Sequence, residues 1–484
     1  MKDELTIQYI NNKYKKHTLM EEQIVVGLDI GTTKIACFIG MRGSTPDKIK
    51  ILGYGRCPSN GVRFGIVENL DVTAKAIKKA IDEASDMANV EVKGVYIGVA
   101  GQHIRTDSME AAINIPENQY QLIHQEDIVR LEEHLRKTAT IPEGHEIIHI
   151  FAQAYCVDGT MLSNDISPVG VSGKVLKGIF NVVTGNSNEI RKLIQSVQIA
   201  GYEVKDIILE PVASSYAVLN QADRTDGIAL VDIGGGTTDI AVLKDDTIRF
   251  SSVIAMAGNV VTNDIVANFK IVPRLAEKIK TTLGSCLPSN VNEQSWVGIP
   301  TSHGQPRQEI NLHTLAEIIK PRIETIFGLV ALDLENSHNL DNLVNGIALT
   351  GGGANMKDIR DLAAFVTGVH CHIGKPDVHL EPMDESEEQK NRMNEYNNPM
   401  YATGIGLVIH GLRFEEECAL SQKAKEAEEA ATPEKERTAP EIENPLPIEP
   451  TPTEEESKPK DPEPIWGWRK WIRSLIKDPF NDED

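Results

Sequence analysis

Two β-branched apolar runs, about 200 residues apart, each lead into an aspartate and a glycine turn. The first run covers residues 24–30 and the second covers residues 228–233, and a further apolar stretch follows each turn, at residues 35–40 and 240–243. Continuous apolar runs broken by glycine predict buried strands joined by tight turns. We therefore expect the same strand–turn–strand hairpin twice. We interpret the Thr-Thr pair that follows the glycines as having the same offset from the aspartate in both copies.

The residues in and beside these turns suit a phosphate chain and a divalent cation. Glycines let backbone N–H groups approach an anion closely, threonine hydroxyls add donors, and Lys34 supplies a positive charge. Asp29 and Asp232 end their strands beside the turns, where carboxylates can hold a hydrated Mg²⁺. Two such hairpins facing each other would hold a polyphosphate between two related domains. The residues expected to bind it are Gly31, Thr32, Thr33, Lys34, Gly234, Gly235, Gly236, Thr237 and Thr238.

A third glycine turn follows the short apolar run at residues 347–350. It consists of Gly351, Gly352, Gly353 and Ala354, and we expect it to open a helix that runs through residue 362. The N–H groups at such a helix start would lie where a nucleotide can bind. Other motifs fail, because Pro168 and Val175 stand where a P-loop needs glycine and Ser or Thr, and no G-x-S-x-G elbow occurs.

Near the C-terminus, residues 465–477 carry four bases, no acids and three of the four tryptophans of the chain. On a helical wheel the large apolar residues share one face and the bases lie beside it. The segment would be about 20 Å long, too short to span a bilayer, and the pattern is typical of an in-plane membrane anchor. The alternative is a helix that docks onto the protein's own core or a partner's groove. The membrane-facing residues would be Trp466, Trp468, Arg469, Lys470, Trp471, Ile472, Arg473, Leu475, Ile476 and Lys477.

Charge and proline set apart the segment that precedes this helix. Residues 415–464 contain 16 acids, six bases and nine of the 24 prolines. Such a composition cannot bury enough apolar surface to offset the entropy of ordering, so it predicts a disordered linker. A helix is the alternative only near residues 423–431. The net charge of the whole chain, −22, argues against a nucleic-acid partner, since phosphate neutralisation needs a basic surface.

The remaining features bear on the cellular compartment. Residues 1–22 are polar and lack the apolar core of a secretory signal, and no apolar run reaches the roughly 18 residues of a spanning helix. The six cysteines form no C-x-x-C pair, which favours reduced thiols. His370-Cys371-His372 lacks a second ligand cluster, which disfavours a metal site there. We therefore expect a cytoplasmic protein.

The three glycine turns resemble the nucleotide motifs of the actin, Hsp70 and sugar-kinase superfamily. Residues 29–34 resemble its first phosphate motif, residues 232–239 the second, and residues 350–354 the adenosine motif. The resemblance implies an α/β, actin-like ATPase fold in which two related domains enclose a nucleotide cleft, with ATP and Mg²⁺ as cofactors.

Other segments resemble further parts of that superfamily. Residues 209–213 resemble the first connecting helix, whose Glu210 would face the water shell of the metal, and residues 402–406 resemble the second connector. Glu277 and Lys280 resemble the residues that bracket adenine and ribose. For these two, an ordinary solvated ion pair is an equal alternative.

Within the superfamily the chain resembles the bacterial cell-division FtsA family, through the segments at residues 100–104 and 168–173, the linker and the terminal helix. That resemblance implies a protein that polymerises and ties the FtsZ ring to the cytoplasmic face of the inner membrane at the division site, with anionic lipid as its support. It also implies that an inserted subdomain recruits later division proteins. The C-terminal peptide of FtsZ would dock on residues 251–345, where the candidate bases are Arg307, Lys320 and Arg322. Each of these is as readily explained as a surface charge.

The resemblance and the composition together divide the chain into eleven parts. They are a polar N-terminal extension (1–22), the first part of subdomain 1A (23–101), the inserted subdomain 1C (102–178), the second part of 1A (179–206), the first part of subdomain 2A (207–250), subdomain 2B (251–345), the second part of 2A (346–380), the C-terminal part of 1A (381–412), the linker (413–464), the amphipathic helix (465–477) and an acidic tail (478–484).

The alternative function is an enzyme of the same superfamily, a kinase or an Hsp70-like turnover ATPase. A kinase needs a general base near the γ-phosphate, and no acid outside the phosphate motifs can be assigned to that role. A chaperone would need a folded domain after the second connector, where a linker is expected instead. We therefore expect ATP binding with at most slow hydrolysis, in which Asp29, Glu210 and Asp232 organise Mg²⁺ and water.

Overall fold

A six-stranded mixed sheet forms the first half of the body. In this computed structural model, which describes residues 23–117, 120–163, 167–299 and 308–431, three antiparallel strands are followed by two that run parallel to the first. The strand order is β11-β6-β1-β2-β3-β19. The strands are β1 (Val25–Ile30), β2 (Lys34–Arg42), β3 (Ile49–Pro58), β6 (Gly94–Val99), β11 (Glu203–Leu209) and β19 (Leu380–Glu381), and a small hairpin of β4 (Val62–Arg63) and β5 (Ile66–Val67) lies between β3 and β6 in the sequence.

A five-stranded sheet with the same connectivity forms the second half. Its order is β14-β13-β12-β17-β18, again three antiparallel strands followed by two parallel ones. Its strands are β12 (Ile228–Ile233), β13 (Thr238–Lys244), β14 (Thr247–Ile254), β17 (Ile347–Thr350) and β18 (Cys371–Ile373). The central strands are buried, and their unbroken apolar runs reflect that burial. The repeated hairpin expected from the sequence is therefore the start of two sheets that share the order and directions of five strands, to which the first sheet adds β19.

A third sheet interrupts the first half between β6 and β11. Its order is β7-β10-β8-β9, with a helix, α2 (Gln125–Thr138), whose buried Leu131 and Leu135 pack against it. The strands are β7 (Arg105–Asn114), β8 (His145–Val157), β9 (Thr160–Met161) and β10 (Val175–Asn186). We call this region the insert. The expected boundary at residue 178 falls inside β10, which continues to Asn186.

Helices complete the two halves. The first half holds α1 (Leu70–Ala88), whose N-cap Asn69 accepts from the N–H of Val72, and α3 (Ser187–Ile199), capped by Asn186. The second half holds α5 (Gln221–Asp226), α6 (Gly258–Phe269), α7 (Pro273–Leu283), α8 (Leu312–Asn336) and α9 (Ile359–Thr367), with a small hairpin of β15 (Trp296–Ile299) and β16 (Gln308–Asn311) before α8. Ile319, Ile323 and Phe327 of α8 belong to the core beneath the second sheet.

Two helices at the junction of the halves approach each other closely. They are α4 (Glu210–Val218), which joins β11 to the second half, and α11 (Ala402–Ala431), which follows α10 (Glu387–Tyr396). A Cβ added to Gly406 of α11 would lie 1.8 Å from the carbonyl oxygen of Ala213 in α4. Only glycine permits this approach, which supports the connector roles expected for these segments.

The linker expectation is wrong for its first part. The contacts divide the chain into one unit at Met1–Leu412 and another at Arg413–Asp484. Helix α11 nevertheless continues to Ala431, so residues 413–422 are helical where a linker was expected, and residues 423–431 follow the helical alternative. The reason is composition, because this stretch is rich in Ala and Glu and contains no proline before Pro433. Among the described residues, no helix is both long and apolar enough to cross a membrane.

Candidate functional site

The two repeated hairpins have the same backbone geometry at their turns. In the first, Asp29 pairs with Ala36 across β1 and β2, and the N–H of Gly31 donates to the carbonyl of Lys34 at 3.0 Å. In the second, Asp232 pairs with Asp239 across β12 and β13. There the N–H of Gly234 donates to the carbonyl of Thr237 at 2.9 Å. Each turn therefore holds four residues between paired strands, and the repeat is structural as well as sequential.

This register corrects the expected equivalence of the threonine pairs. When the aspartates are superposed in register, Thr32 and Thr33 correspond to Gly235 and Gly236. The second threonine pair lies two positions later, so that Thr237 corresponds to Lys34. The two pairs are thus not copies of each other. The offsets already differ in the sequence, with three residues from Asp29 to Thr32 and five from Asp232 to Thr237, and the cross-strand pairing defines the equivalence.

The tips of the two hairpins face and touch each other. A Cβ added to Gly235 would lie 2.1 Å from Cγ2 of Thr33, and one added to Gly236 would lie 2.8 Å from Oγ1 of Thr32. Oγ1 of Thr32 also accepts from the N–H of Gly65 at 3.3 Å. The larger residues of one tip therefore occupy the space that the glycines of the other leave. Both turns belong to one cleft, as the repeat predicts.

A cluster of acids lies beneath the tips. Asp29, Glu210 and Asp232 interact electrostatically with one another and with Lys34, and Asp239 joins them from β13. Nζ of Lys34 lies 2.5 Å from Oδ2 of Asp29. Lys34 was expected to bind phosphate directly, but here it forms an ion pair with that aspartate.

Burial and mutual repulsion shift the pKa values of the side chains in this cluster. Burial raises the pKa of Asp232 to about 6, and the nearby carboxylate of Asp29 adds to the rise. Burial, together with repulsion from Asp232, raises the pKa of Asp239 to about 8. Burial and the three aspartates raise the pKa of Glu210 well above its usual range. Burial opposes the charge of Lys34, but the surrounding carboxylates outweigh it and raise the pKa of that ammonium group. The site thus holds more negative charge than its one lysine balances.

The cluster fits a hydrated divalent cation. Oδ1 of Asp239 is buried without a hydrogen-bond partner, and Asp29 and Asp232 each stand one residue before the end of the first strand of their hairpin. Within the described part of the chain, no group of three or more His, Cys, Asp or Glu residues is arranged to hold a metal directly. A Mg²⁺ ion, which keeps several waters and takes few carboxylates, suits such a donor set. Asp29 and Asp232 are the residues that could hold it, through water.

Two hydroxyl groups that sequence reasoning missed complete the surroundings of Asp232. Oγ of Ser214 on α4 donates to Oδ2 of Asp232 at 2.9 Å, and Oγ1 of Thr403 on α11 donates to the same oxygen at 3.4 Å. The two hydroxyls also contact each other at 3.0 Å. Both connectors therefore hold this aspartate. Thr403 belongs to the expected second connector, residues 402–406, but nothing in its local sequence pattern indicates a contact with Asp232.

The third glycine turn lies against Asp232, but its expected helix is wrong. Gly351 has φ +81°, and a Cβ there would lie 2.2 Å from Oδ1 of Asp232. Residues Gly352–Asn355 form a single 3₁₀ turn, and α9 begins only at Ile359. Asp358, in the left-handed conformation, separates the two. The turn, which includes Gly353 and Ala354, thus presents no α-helix N-terminus to the cleft.

Glu277 and Lys280 join α7 to the start of α6. Nζ of Lys280 donates to the carbonyl of Gly258 and to Oγ1 of Thr262, each at 2.9 Å, and pairs with Glu277 at 2.7 Å. Glu277 also accepts from the hydroxyl of Thr262. Lys280 is 5% exposed, and burial lowers its pKa. The solvated ion-pair alternative therefore does not describe Lys280, which is buried.

Residue Gly258 links this network to the glycine turn. Its N–H donates to the carbonyl of Gly234 at 3.1 Å, and the N–H of Asn259 donates to the carbonyl of Gly235 at 2.8 Å. The start of α6 is thereby attached to the second tip. Only Gly258 would therefore separate a ligand at that tip from the side chain of Lys280.

The bases proposed for partner binding have intramolecular partners where they are described. Arg322 forms two hydrogen bonds with Asp264, at 2.7 and 3.0 Å, and Lys320 lies 3.5 Å from Glu324 on the same helix. Arg307 and the amphipathic segment at residues 465–477 lie outside the described residues.

Comparison with known proteins assigns the chain to a family. The family model for the cell division protein FtsA matches residues 229–406, and the model for the SHS2 domain inserted in FtsA matches residues 101–184. The cell division protein FtsA of Pseudomonas aeruginosa is 33% identical over 395 residues, which cover 82% of this chain and 91% of that protein. The chain belongs to the FtsA family of cell-division proteins. Its Escherichia coli K12 relative is 33% identical over 399 residues, covering 81% of this chain and 91% of that protein.

Two further matches concern the fold. The Hsp70 model matches residues 186–261, which include the first connector and the second hairpin. A solved structure of a PilM–PilN type IV pilus biogenesis complex covers 80% of this chain and 98% of its own, with a TM-score of 0.57 and 16% sequence identity. The actin-like ATPase fold with an FtsA-type insert is therefore confirmed, and the insert described above is the SHS2 domain of the family.

Proposed function

We propose that this FtsA-family protein binds Mg²⁺–ATP between its two hairpins and that it polymerises at the cytoplasmic face of the inner membrane, where it anchors the FtsZ ring. The observation that carries the nucleotide part is the contact between two hairpins of matched register above a cluster of buried acids. Within the superfamily that arrangement holds a polyphosphate, and the excess of carboxylates here suits its cation.

Each part of the site has a distinct task in this proposal. The N–H groups and hydroxyls of the two tips bind the phosphate oxygens, while Asp29 and Asp232 orient the water shell of the cation. Bound Mg²⁺ would neutralise part of the phosphate charge. Lys34 holds Asp29 through their ion pair, and Ser214 and Thr403 orient Asp232. Lys280 and Glu277 hold α6 beside the second tip, where the nucleoside would lie.

Hydrolysis is expected to be slow. Glu210 is the acid on the first connector, and its raised pKa reflects burial among three aspartates. Those same groups are proposed to organise the cation and its water, which leaves none of them as a dedicated base for an acceptor substrate. Steady-state phosphate release at kinase-like rates of roughly 1–100 s⁻¹ would favour the enzyme alternative.

The membrane and partner roles rest on the sequence pattern and on family membership. The basic, tryptophan-rich segment at residues 465–477 would bind anionic lipid, at on the order of 1 kcal/mol for each base. Such an anchor is reversible, so filament formation would strengthen attachment through multivalency. We assign FtsZ binding to subdomain 2B (251–345) and recruitment of later division proteins to the insert. Since Arg322 already pairs with Asp264, a docking acidic peptide would have to compete for it.

Co-sedimentation with anionic liposomes tests the anchoring. The double variant Trp468→Glu, Trp471→Glu should lose pelleting while ATP binding persists, because charges on the apolar face prevent insertion. Trp296→Glu is the matched control, since this fourth tryptophan is 60% exposed on β15, outside the proposed anchor. Undiminished pelleting of the double variant would contradict the anchoring role.

Equilibrium binding of ATP with Mg²⁺ and with EDTA tests the cleft. Binding should be tighter with Mg²⁺, and Asp232→Asn should reduce that difference. Failure of the wild-type protein to bind ATP under either condition would contradict the nucleotide role, whatever the liposome result.

A further inference from the structure

Strand β8 of the insert has a long edge without a strand partner among the described residues. It pairs with β10 along one side from His145 to Val157, but on the other side only Cys156 and Val157 pair, with β9. The same strand contacts β11 and β14, the edge strands of the two large sheets. Strand β8 of the insert therefore contacts both halves of the molecule.

The first contact reaches the residue before Glu210. Nε2 of His149 on β8 accepts from the backbone N–H of Leu209 at 3.0 Å. Leu209 is the last residue of β11 and the N-cap of α4, and its side chain offers no capping group. The ring of His149 stacks on Phe151, with centroids 5.4 Å apart, which fixes its orientation. His149 thus holds the backbone from which the side chain of Glu210 extends into the acid cluster.

The second contact joins β8 and β10 to the second half. The side-chain amide of Gln153 donates to the carbonyl of Ile248 at 2.9 Å, and that of Asn181 donates to the carbonyl of Arg249 at 2.7 Å. In return, Nη1 of Arg249 donates to the carbonyl of Gln153 at 2.7 Å. All three bonds join groups from different halves of the molecule.

A β-bulge makes this second contact. Between β13 and β14, Val242 pairs with Phe250 and Leu243 pairs with Ile248, so Arg249 is an extra residue. Bulges redirect a side chain and release backbone groups from the ladder. Here the carbonyl and Nη1 of Arg249 bond to the insert, while Nη2 pairs with Asp245 at 2.7 Å within the second half.

We propose that His149 is a positioning residue for Glu210, and that Gln153, Asn181 and Arg249 hold the strand carrying it against the second half. The insert then links the backbone beside Glu210 to the second half of the molecule. This inference rests on the proposed function only in taking Glu210 as a group that faces the hydrated cation.

The physical basis is the limited freedom of α4. Glu210 is the first residue of a short helix whose N-cap has no side-chain cap, so its backbone depends on outside contacts. Loss of the His149 acceptor would leave a buried N–H unpaired, at a cost that exceeds the worth of an ordinary hydrogen bond. A displaced Glu210 would affect cation-dependent binding more than binding without cation.

The test compares His149→Phe with His149→Gln. Phenylalanine keeps the stacking on Phe151 but removes the acceptor, whereas the amide oxygen of glutamine can replace Nε2. For His149→Phe we expect the ratio of ATP dissociation constants in EDTA and in Mg²⁺ to fall roughly tenfold, the equivalent of one lost buried hydrogen bond. Binding in EDTA should stay within about twofold, and His149→Gln should restore most of the ratio.

Hydrogen exchange of the ligand-free protein provides a readout that needs no nucleotide. His149→Phe should speed exchange of the Leu209 amide at least about tenfold. The double variant Gln153→Ala, Asn181→Ala should speed exchange across residues 247–254 and lower the Mg²⁺ ratio by about threefold. Lys177→Ala is the matched control, because this β10 residue pairs with Glu110 of β7 within the insert.

The outcomes separate this inference from the proposed function. An unchanged Mg²⁺ ratio in His149→Phe, with normal ATP binding by the wild-type protein, would overturn the positioning role alone. An equal loss of affinity in Mg²⁺ and in EDTA would also overturn it, because that is what general destabilisation produces. Absence of ATP binding by the wild-type protein would overturn the proposed function and, with it, the role assigned to Glu210.

Discussion

The two hairpins share a backbone but differ in how their acids are stabilised. In the first, the position that follows the turn carries Lys34, whose ammonium group pairs with Asp29. In the second, the corresponding position carries Thr237, whose hydroxyl donates to Asp239 at 3.1 Å. Asp232 receives its hydrogen bonds from the two connectors instead. The acid of the first hairpin is thus stabilised by a positive charge and those of the second by hydrogen bonds, although the strand register is the same.

This difference has a structural consequence for the cleft. The first tip places two threonines where the second places two glycines, and the side chains of one fill the space left by the other. Two identical tips would either clash or leave a gap. Divergence of the copies is therefore what allows the tips to meet. The predictions below test that asymmetry, beginning with the largest expected effect.

Removal of the positive charge of Lys34 should have the largest effect on stability. Lys34→Met leaves Asp29, which is only 4% exposed, without a counter-ion among three other acids. We expect the free energy of unfolding at neutral pH to fall by about 3–5 kcal/mol, as when one partner of a buried pair is lost. Thr237→Val, the corresponding change in the second hairpin, should cost only about 1 kcal/mol. Urea denaturation without nucleotide measures both, and equal losses would contradict the asymmetry.

The second prediction concerns pH and Asp239, whose counterpart in the first half is Ala36. The folded pKa of Asp239 is about 8, above the ordinary 3.8, so its contribution to stability is present below about pH 4 and lost as the pH rises through 8. Asp239→Asn should remove this slope, gaining roughly 2–3 kcal/mol over the wild type between about pH 4 and 6. Asp71→Asn, an exposed control on α1, should leave the slope unchanged. Parallel stability curves for Asp239→Asn and the wild type would contradict the raised pKa.

The third prediction concerns the contact between the two hairpin tips. Gly235→Ala places a Cβ 2.1 Å from Cγ2 of Thr33, which should lower stability by about 1–3 kcal/mol through overpacking. Adding Thr33→Ala should restore most of that loss, because it removes the opposing methyl group. Gly298→Ala is the control, since nothing lies within 4 Å of its Cβ position. Thermal unfolding distinguishes the three variants, and a double variant no better than the single one would mean that the tips do not meet.

The smallest expected effect concerns the hydroxyls around Asp232. Thr403→Val keeps the shape of the side chain but removes one donor, which should cost about 0.5–1.5 kcal/mol. Ser214→Ala should cost a similar amount, and the double variant should lose less or more than the sum because the hydroxyls also contact each other. Strict additivity in denaturation experiments would show that the two connectors hold Asp232 independently.

Much of the fold could be predicted from local pattern. The sequence alone identifies the two β-branched runs with their glycines and aspartates. The reason is that a buried strand needs a continuous apolar run and a tight turn needs glycine. The third turn was only half predicted. Gly351 does adopt a positive φ, but Asp358 in the left-handed conformation delays the helix, and no local rule indicates that break.

The linker shows the opposite error. Charge and proline predicted disorder from residue 413, yet alanine and glutamate continue α11 to Ala431. The average composition of a long segment concealed a change inside it. Helix propensity acts residue by residue until the first proline, so the shorter window was the informative one.

Local sequence determined which residues form strands and turns and which acids lie at the strand ends. These features depend only on the spacing of apolar residues along the chain and on the conformational freedom of the backbone. Only the tertiary structure decided which residues correspond across the two hairpins, that Lys34 binds Asp29, and that Ser214, Thr403 and His149 reach the site from distant elements. The contacts around Asp232 join residues up to 189 positions apart, such as Ser214 and Thr403, and depend on where whole elements pack. Hydrophobic burial places those elements, and hydrogen bonds and charges then select among the side chains that meet there.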